Sequence, residues 1–131
     1  MSADVVYLDS SAFVKLVIRE AESTALRTWL RRRPRRASAT LLRVEAVRAV
    51  MPSGPIAVRT ARHQMSGMHL IDLTPTLLDE AAVLSPGLRS LDAIHLAAAW
   101  SIGADLAALL TYDARLAGAA EQLGIVVEAP A

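Results

Sequence analysis

The chain has 131 residues and a mass of 14.0 kDa, enough for one domain with a single substantial core. A net charge of +1 excludes a strongly basic nucleic-acid binder, and the absence of cysteine excludes disulfides and thiolate metal sites. Hydrophobic residues reach 53% with a mean hydropathy of +0.36, yet no apolar run approaches the roughly 18 residues of a membrane span; the surplus apolar surface points to a protein partner or a homodimer.

Met1-Ser2-Ala3-Asp4 lacks the basic start of a secretory signal, and with no cysteine a reducing cytoplasm is expected. Val5–Leu8 reads as a buried strand. Ser10 or Ser11 can cap a helix to about Arg19, and Ala21–Arg32 has helical spacing. Arg31, Arg32, Arg33, Arg35 and Arg36 then crowd around Pro34, and of fourteen basic residues only Lys15 is lysine. Such guanidinium forks suit RNA phosphate or an acidic partner; the run reads equally as a solvated helix end followed by a turn.

Ala37–Ala39 is the next short strand. Thr40 can cap Leu41–Val50, which Pro52-Ser53-Gly54-Pro55 stops, and Pro55 starts a helix to about Ser66. His69–Leu73 reads as a strand, and Thr74 caps Pro75–Leu84. Ser90 caps Leu91–Ile102, with Gly103 where a helix end wants a left-handed residue. Ala107–Thr111 and Ile125–Val127 complete the strands. This alternation predicts an α/β fold over residues 1–131: one domain, with a central parallel sheet of about five short strands and helices on both faces.

Ligands in such sheets sit beyond the carboxyl ends of the strands. Asp9 follows the first strand and Asp113 follows Ala107–Tyr112. Glu45 lies mid-helix on the face shared by Leu41 and Ala49, and Asp92 stands in the first turn of its helix, followed by His95 and Ala99. Taken singly, Asp9 and Asp113 also suit helix caps, Asp92 suits the helix dipole, and Glu45 can pair with Arg48. Gathered together, the four would repel, since two unit charges about 4 Å apart cost roughly 4 kcal/mol at an effective dielectric near 20. Either some hold protons or a divalent cation binds. An all-oxygen set suits Mg²⁺ or Mn²⁺.

These residues carry a family resemblance. Val6-Tyr7-Leu8-Asp9-Ser10-Ser11-Ala12-Phe13-Val14-Lys15-Leu16 resembles the opening of a PIN-domain protein of the VapC toxin type. Leu91-Asp92-Ala93-Ile94-His95-Leu96-Ala97-Ala98-Ala99 resembles the family's third acidic motif. Leu110-Thr111-Tyr112-Asp113-Ala114-Arg115-Leu116 resembles its C-terminal block, and Glu45 within Leu42–Arg48 matches its helix acid. The resemblance implies a PIN-like fold and an Mg²⁺- or Mn²⁺-dependent endoribonuclease, the toxin of a pair with a VapB-type antitoxin. It makes Asp9, Glu45, Asp92 and Asp113 the metal and catalytic acids. Ser10 or Ser11 and Thr111 become candidates to orient carboxylates or water. His95 matches a residue common in these toxins, and as a sequence feature it reads as a helix-face residue hydrogen-bonded near the site, not a ligand. The resemblance also implies a homodimer, with an antitoxin segment over helices that carry Phe13, Leu16, Val17, Leu26, Trp29 and Leu30; those residues also suit a core.

Two other readings fit less well. A receiver domain needs more acids before Asp9 than Asp4, and a haloacid-dehalogenase-type phosphatase needs an Asp where Ser11 stands. A catalytically silent PIN fold that binds RNA or protein would not need all four acids. The six glycines form no phosphate loop, and five aromatics are few for a base-stacking platform.

Overall fold

The computed structural model describes residues 3–131. Five strands, β1 (Val5–Leu8), β2 (Arg36–Ala39), β3 (His69–Ile71), β4 (Leu106–Leu110) and β5 (Val127–Glu128), form a wholly parallel sheet in the order β3-β2-β1-β4-β5. Seven helices connect them: α1 (Ser10–Val14), α2 (Ser23–Leu30), α3 (Leu42–Val50), α4 (Pro55–Ser66), α5 (Pro75–Val83), α6 (Ser90–Ser101) and α7 (Ala114–Gln122). The chain leaves β1 toward β2 on one side and returns to β4 on the other. The order therefore reverses between β1 and β4, where an open α/β sheet forms its crevice.

Side chains alternate along these strands, which splits the core in two. Val6 and Leu8 of β1, with Ala108 and Leu110 of β4, pack beside Ala12, Leu16, Leu26 and Leu30. Tyr7 and Leu109 face the other way, into a layer with Leu96, Ala97 and Leu116. Ala93 and Ala97–Ala99 leave α6 slim enough to lie close against the sheet. Phe13, Leu42, Ala46, Val50, Ala61 and Met65 bind α1, α3 and α4 together.

Several boundaries differ from the sequence expectation. The first helix ends at Val14 instead of continuing to Arg19: Lys15, Leu16 and Val17 bond back only three residues, tightening the chain. Lys15 then reaches Glu22 at 2.7 Å and Glu20 at 3.3 Å, and its ammonium lies over the Tyr112 ring. Thr74 caps α5 through Leu77 N, as its position before Pro75 predicts, and Gly103 is left-handed with φ 68°. Thr40 and Ser90 make no side-chain cap; Leu41 and Arg89 occupy those positions. Phe13, Leu16, Leu26 and Leu30 are core residues, so of the set expected to meet an antitoxin only Val17 and Trp29 are half-buried.

Candidate metal centre

β1 and β4 end side by side, and the register pairing Leu8 with Leu110 makes Asp9 and Thr111 the next cross-strand neighbours. Thr111 Oγ1 donates to Asp9 Oδ2 at 2.5 Å. The other oxygen, Oδ1, accepts from Ser11 Oγ at 2.7 Å and from Ala12 N at 3.0 Å. The last bond caps α1, so the cap is Asp9 itself and neither serine. Ser11 Oγ accepts in turn from Tyr112 N, and Thr111 Oγ1 from Asp113 N, both at 3.0 Å. Two hydroxyls thereby lace the ends of both strands around one carboxylate. Ser10 lines the cleft nearby, but the hydroxyl on Asp9 is that of Ser11. Asp9 is only 3% exposed; burial raises its carboxyl above the ordinary range, against the opposing pull of the Thr111, Ser11 and Ala12 hydrogen bonds.

Asp113 stands just past β4 and caps α7, its Oδ1 accepting from Arg115 N and Leu116 N at 2.9 Å each. The cap uses one oxygen and leaves Oδ2 to face the cleft, 3.5 Å from Arg89 Nη2. Asp92, in the first turn of α6, brings its Oδ2 to 3.3 Å from Arg89 Nε. A single guanidinium therefore bridges the acids of two helix starts.

Glu45 reaches in from α3 and turns to His95 of α6, not to Arg48 on its own helix: His95 Nε2 lies 2.6 Å from Glu45 Oε1. His95 is buried, and its Nδ1 lies 2.7 Å from the Tyr7 hydroxyl on β1. A ring nitrogen bonded to a carboxylate carries the proton, so in the neutral ring Nε2–H donates to Glu45 and Nδ1 accepts from Tyr7. Burial raises the Tyr7 hydroxyl and keeps it a neutral donor. His95 thus acts on Glu45 from behind.

All four acids, with Ser10, Ser11 and Arg89, line one cleft of about 390 Å³. A larger cavity of about 520 Å³ opens at the amino ends of the strands, among Arg35, Arg36, His69 and Asp105, and holds none of the four. The arginine-rich run lies at that same edge and is largely used locally. Arg36 bonds the carbonyls of Leu30 and Arg33, Arg33 stacks on Trp29 at 3.8 Å, and Arg35 pairs with Asp4 at 2.7 Å.

The donors facing the cleft are carboxylate and hydroxyl oxygens, the chemistry of a hard divalent ion, and a cationic guanidinium already rests between two of them. Among the described residues no three acid or imidazole side chains gather tightly enough to hold an ion unaided. The arrangement fits an ion that retains several waters, as Mg²⁺ does. Sequence reasoning missed Arg89, whose signal was its place three residues before Asp92. It also missed Tyr7, an aromatic two residues before Asp9 in a run otherwise aliphatic.

The family model of the PIN domain matches residues 6–122 of this chain. The chain is a PIN-domain protein. It is 48% identical to Ribonuclease VapC46 of Mycobacterium tuberculosis, over 95% of this chain and 97% of that protein. It is 42% identical to Ribonuclease VapC47 of the same species, over 96% of this chain and 97% of the relative. Identity at that level along nearly the full length puts this PIN domain in the VapC family. Two solved structures share the fold. One is Mycobacterium tuberculosis VapC20, a sarcin-ricin loop cleaving toxin, with a TM-score of 0.75 at 16% identity over 95% of this chain and 99% of that one. The other is VapBC2 from Rickettsia felis bound to a DNA fragment from their promoter, with a TM-score of 0.72 at 12% identity over 97% and 99%. The central parallel sheet flanked by helices on both faces agrees with the PIN-like fold expected from the sequence.

Proposed function

We propose that this chain is a metal-dependent endoribonuclease, the toxin of a VapBC-type toxin–antitoxin pair, acting as a single PIN domain over residues 1–131. One observation carries the reading: four acids from β1, α3, α6 and the end of β4 line a single cleft at the switch point of the sheet. The near-full-length identity to proteins named ribonucleases supports the choice of RNA as substrate.

Asp9, Glu45, Asp92 and Asp113 are the residues that would hold Mg²⁺ or Mn²⁺. When bound, such an ion supplies a nucleophilic water and offsets charge on the phosphodiester. Thr111 and Ser11 hold Asp9 in place by donating to it, and His95 fixes Glu45. Five aromatics in the chain leave RNA recognition to arginines and to shape.

The partners of this reading are RNA, a VapB-type antitoxin and a second copy of the chain. Val44, Met51 and Ile56 are exposed on α3, the turn after it and α4, which supports a protein-covered surface there. No described helix is long and apolar enough to cross a membrane, and we place the toxin in the cytoplasm.

The test is incubation of purified protein with structured RNA in Mg²⁺ or EDTA. Cleavage is expected in Mg²⁺, none in EDTA, and a loss of about two orders of magnitude in Asp9→Asn. Cleavage that survives EDTA, or a full rate in Asp9→Asn, overturns the proposal. RNA binding without cleavage in either condition returns the silent-module reading.

A further inference from the structure

Among the described residues, Arg89 is the only basic one lining the cleft of the four acids. It occupies the N-cap position of α6 without capping it, and its guanidinium is spent on Asp92 Oδ2 at 3.3 Å and Asp113 Oδ2 at 3.5 Å. Those contacts are long, each made by a different nitrogen, on a side chain 70% exposed. They lack the paired geometry of a strong arginine–carboxylate fork. Asp113 has already given Oδ1 to the amides of α7, so Arg89 sits on the one oxygen this acid has left for a cation. The other cation nearby, Lys15, is held by Glu20 and Glu22 and is not part of the cleft lining.

We infer that Arg89 is an exchangeable counter-ion that becomes the phosphate-binding arm of the site. Without a divalent ion it neutralises Asp92 and Asp113. An ion taking those oxygens displaces the guanidinium, since like charges repel and the contacts it leaves are weak. Freed at the cleft mouth, the planar fork meets an RNA phosphate in the two-bonded geometry it cannot reach with Asp92 and Asp113. Metal and substrate are then admitted in order: the ion first, the phosphodiester second. The inference rests on the nuclease reading for its choice of phosphate, while the exchange itself does not.

The experiment compares wild type, Arg89→Ala and, as a control for net charge, Arg31→Ala at the opposite edge of the sheet. Mn²⁺ binding is read by titration calorimetry without RNA. Binding of a fluorescein-labelled RNA hairpin is read by anisotropy in Ca²⁺, with gels to confirm intact RNA. Arg89→Ala is expected to bind Mn²⁺ about fivefold tighter and the hairpin about tenfold weaker, with Arg31→Ala unchanged in Mn²⁺ affinity. Mn²⁺ affinity in Arg89→Ala equal to or weaker than wild type overturns the exchange. Hairpin affinity within twofold of wild type overturns the phosphate role. Wild-type protein that binds Mn²⁺ yet leaves RNA intact in it sinks the nuclease reading alone, because the calorimetry registers the exchange without cleavage.

Discussion

His95 and Glu45 meet at 2.6 Å across two helices, and the far side of the same imidazole is held by Tyr7 at 2.7 Å. A buried strand residue thus decides where a cleft carboxylate stands. Removing the ring in His95→Ala leaves a cavity and two polar groups without partners, a loss of about 3 kcal/mol. His95→Gln can keep an N–H on Glu45 and is expected to lose less, and Tyr7→Phe about 1 kcal/mol. Urea denaturation checks the order. In the RNA assay His95→Ala falls about tenfold with His95→Gln recovering part of the rate, a split that damage to the fold alone does not predict.

Burial of Asp9 makes metal-free stability depend on pH in a defined direction. In the unfolded chain its carboxyl ionises near the ordinary value of 3.8, whereas in the fold it keeps its proton to higher pH. Across that window the native state binds more protons, so stability falls as pH rises, and the cost is complete above the folded value. Asp9→Asn removes this slope. Melting temperatures of the metal-free proteins should therefore shift in favour of the variant as pH rises above the ordinary value of 3.8; parallel curves would contradict the assignment. Mn²⁺ raises the wild-type curve more than that of the variant.

Thr111→Val keeps the shape of a buried residue and deletes a hydroxyl with two jobs. It donates to Asp9 Oδ2 and accepts from Asp113 N. The variant leaves an amide and a carboxylate oxygen short of partners, a cost of about 2 kcal/mol in urea denaturation. Mn²⁺ affinity is expected to fall as well, by about tenfold, because Asp9 is no longer held. Ser11→Ala, which leaves the Asp9–Thr111 bond in place, is expected to do less. A larger effect in Ser11→Ala on Mn²⁺ affinity reverses this ranking.

Arg31 and Arg32 follow α2 and run into Pro34, Arg35 and Arg36, which line the cavity at the amino edge of the sheet, while the acids stand at the carboxyl edge. A double Arg31→Ala, Arg32→Ala variant is therefore expected to cleave RNA within about twofold of wild type at 0.15 M salt, where exposed charges act over only about 8 Å. A tenfold loss would assign the arginine run to substrate binding.

The sequence by itself determined the order of strands and helices and the parallel sheet, and it singled out the strand-end acids Asp9 and Asp113 as candidates for one site. Those features rest on signals a few residues long: apolar runs such as Val5–Leu8, a Thr74–Pro75 helix start, a left-handed Gly103, an acid at the end of a strand. Resemblance extended them to a family, and the alternative roles stayed open because one short polar side chain can serve several ends. For Asp9 and Asp113 the capping and cleft roles proved to coexist, one oxygen of each serving the helix.

Tertiary structure alone decided the rest. Strand order placed Asp9 beside Thr111, and Tyr7 met a histidine 88 residues away because strand alternation turned it toward α6. Phe13, Leu16, Leu26 and Leu30 became core, not partner surface, because α1 and α2 cover the sheet. Arg89 reached two acids on separate helices only because the starts of α6 and α7 converge at the cleft. Local spacing records which face a residue takes on its own element; which element that face meets is set by packing across the whole chain, where contacts far apart in sequence must form together.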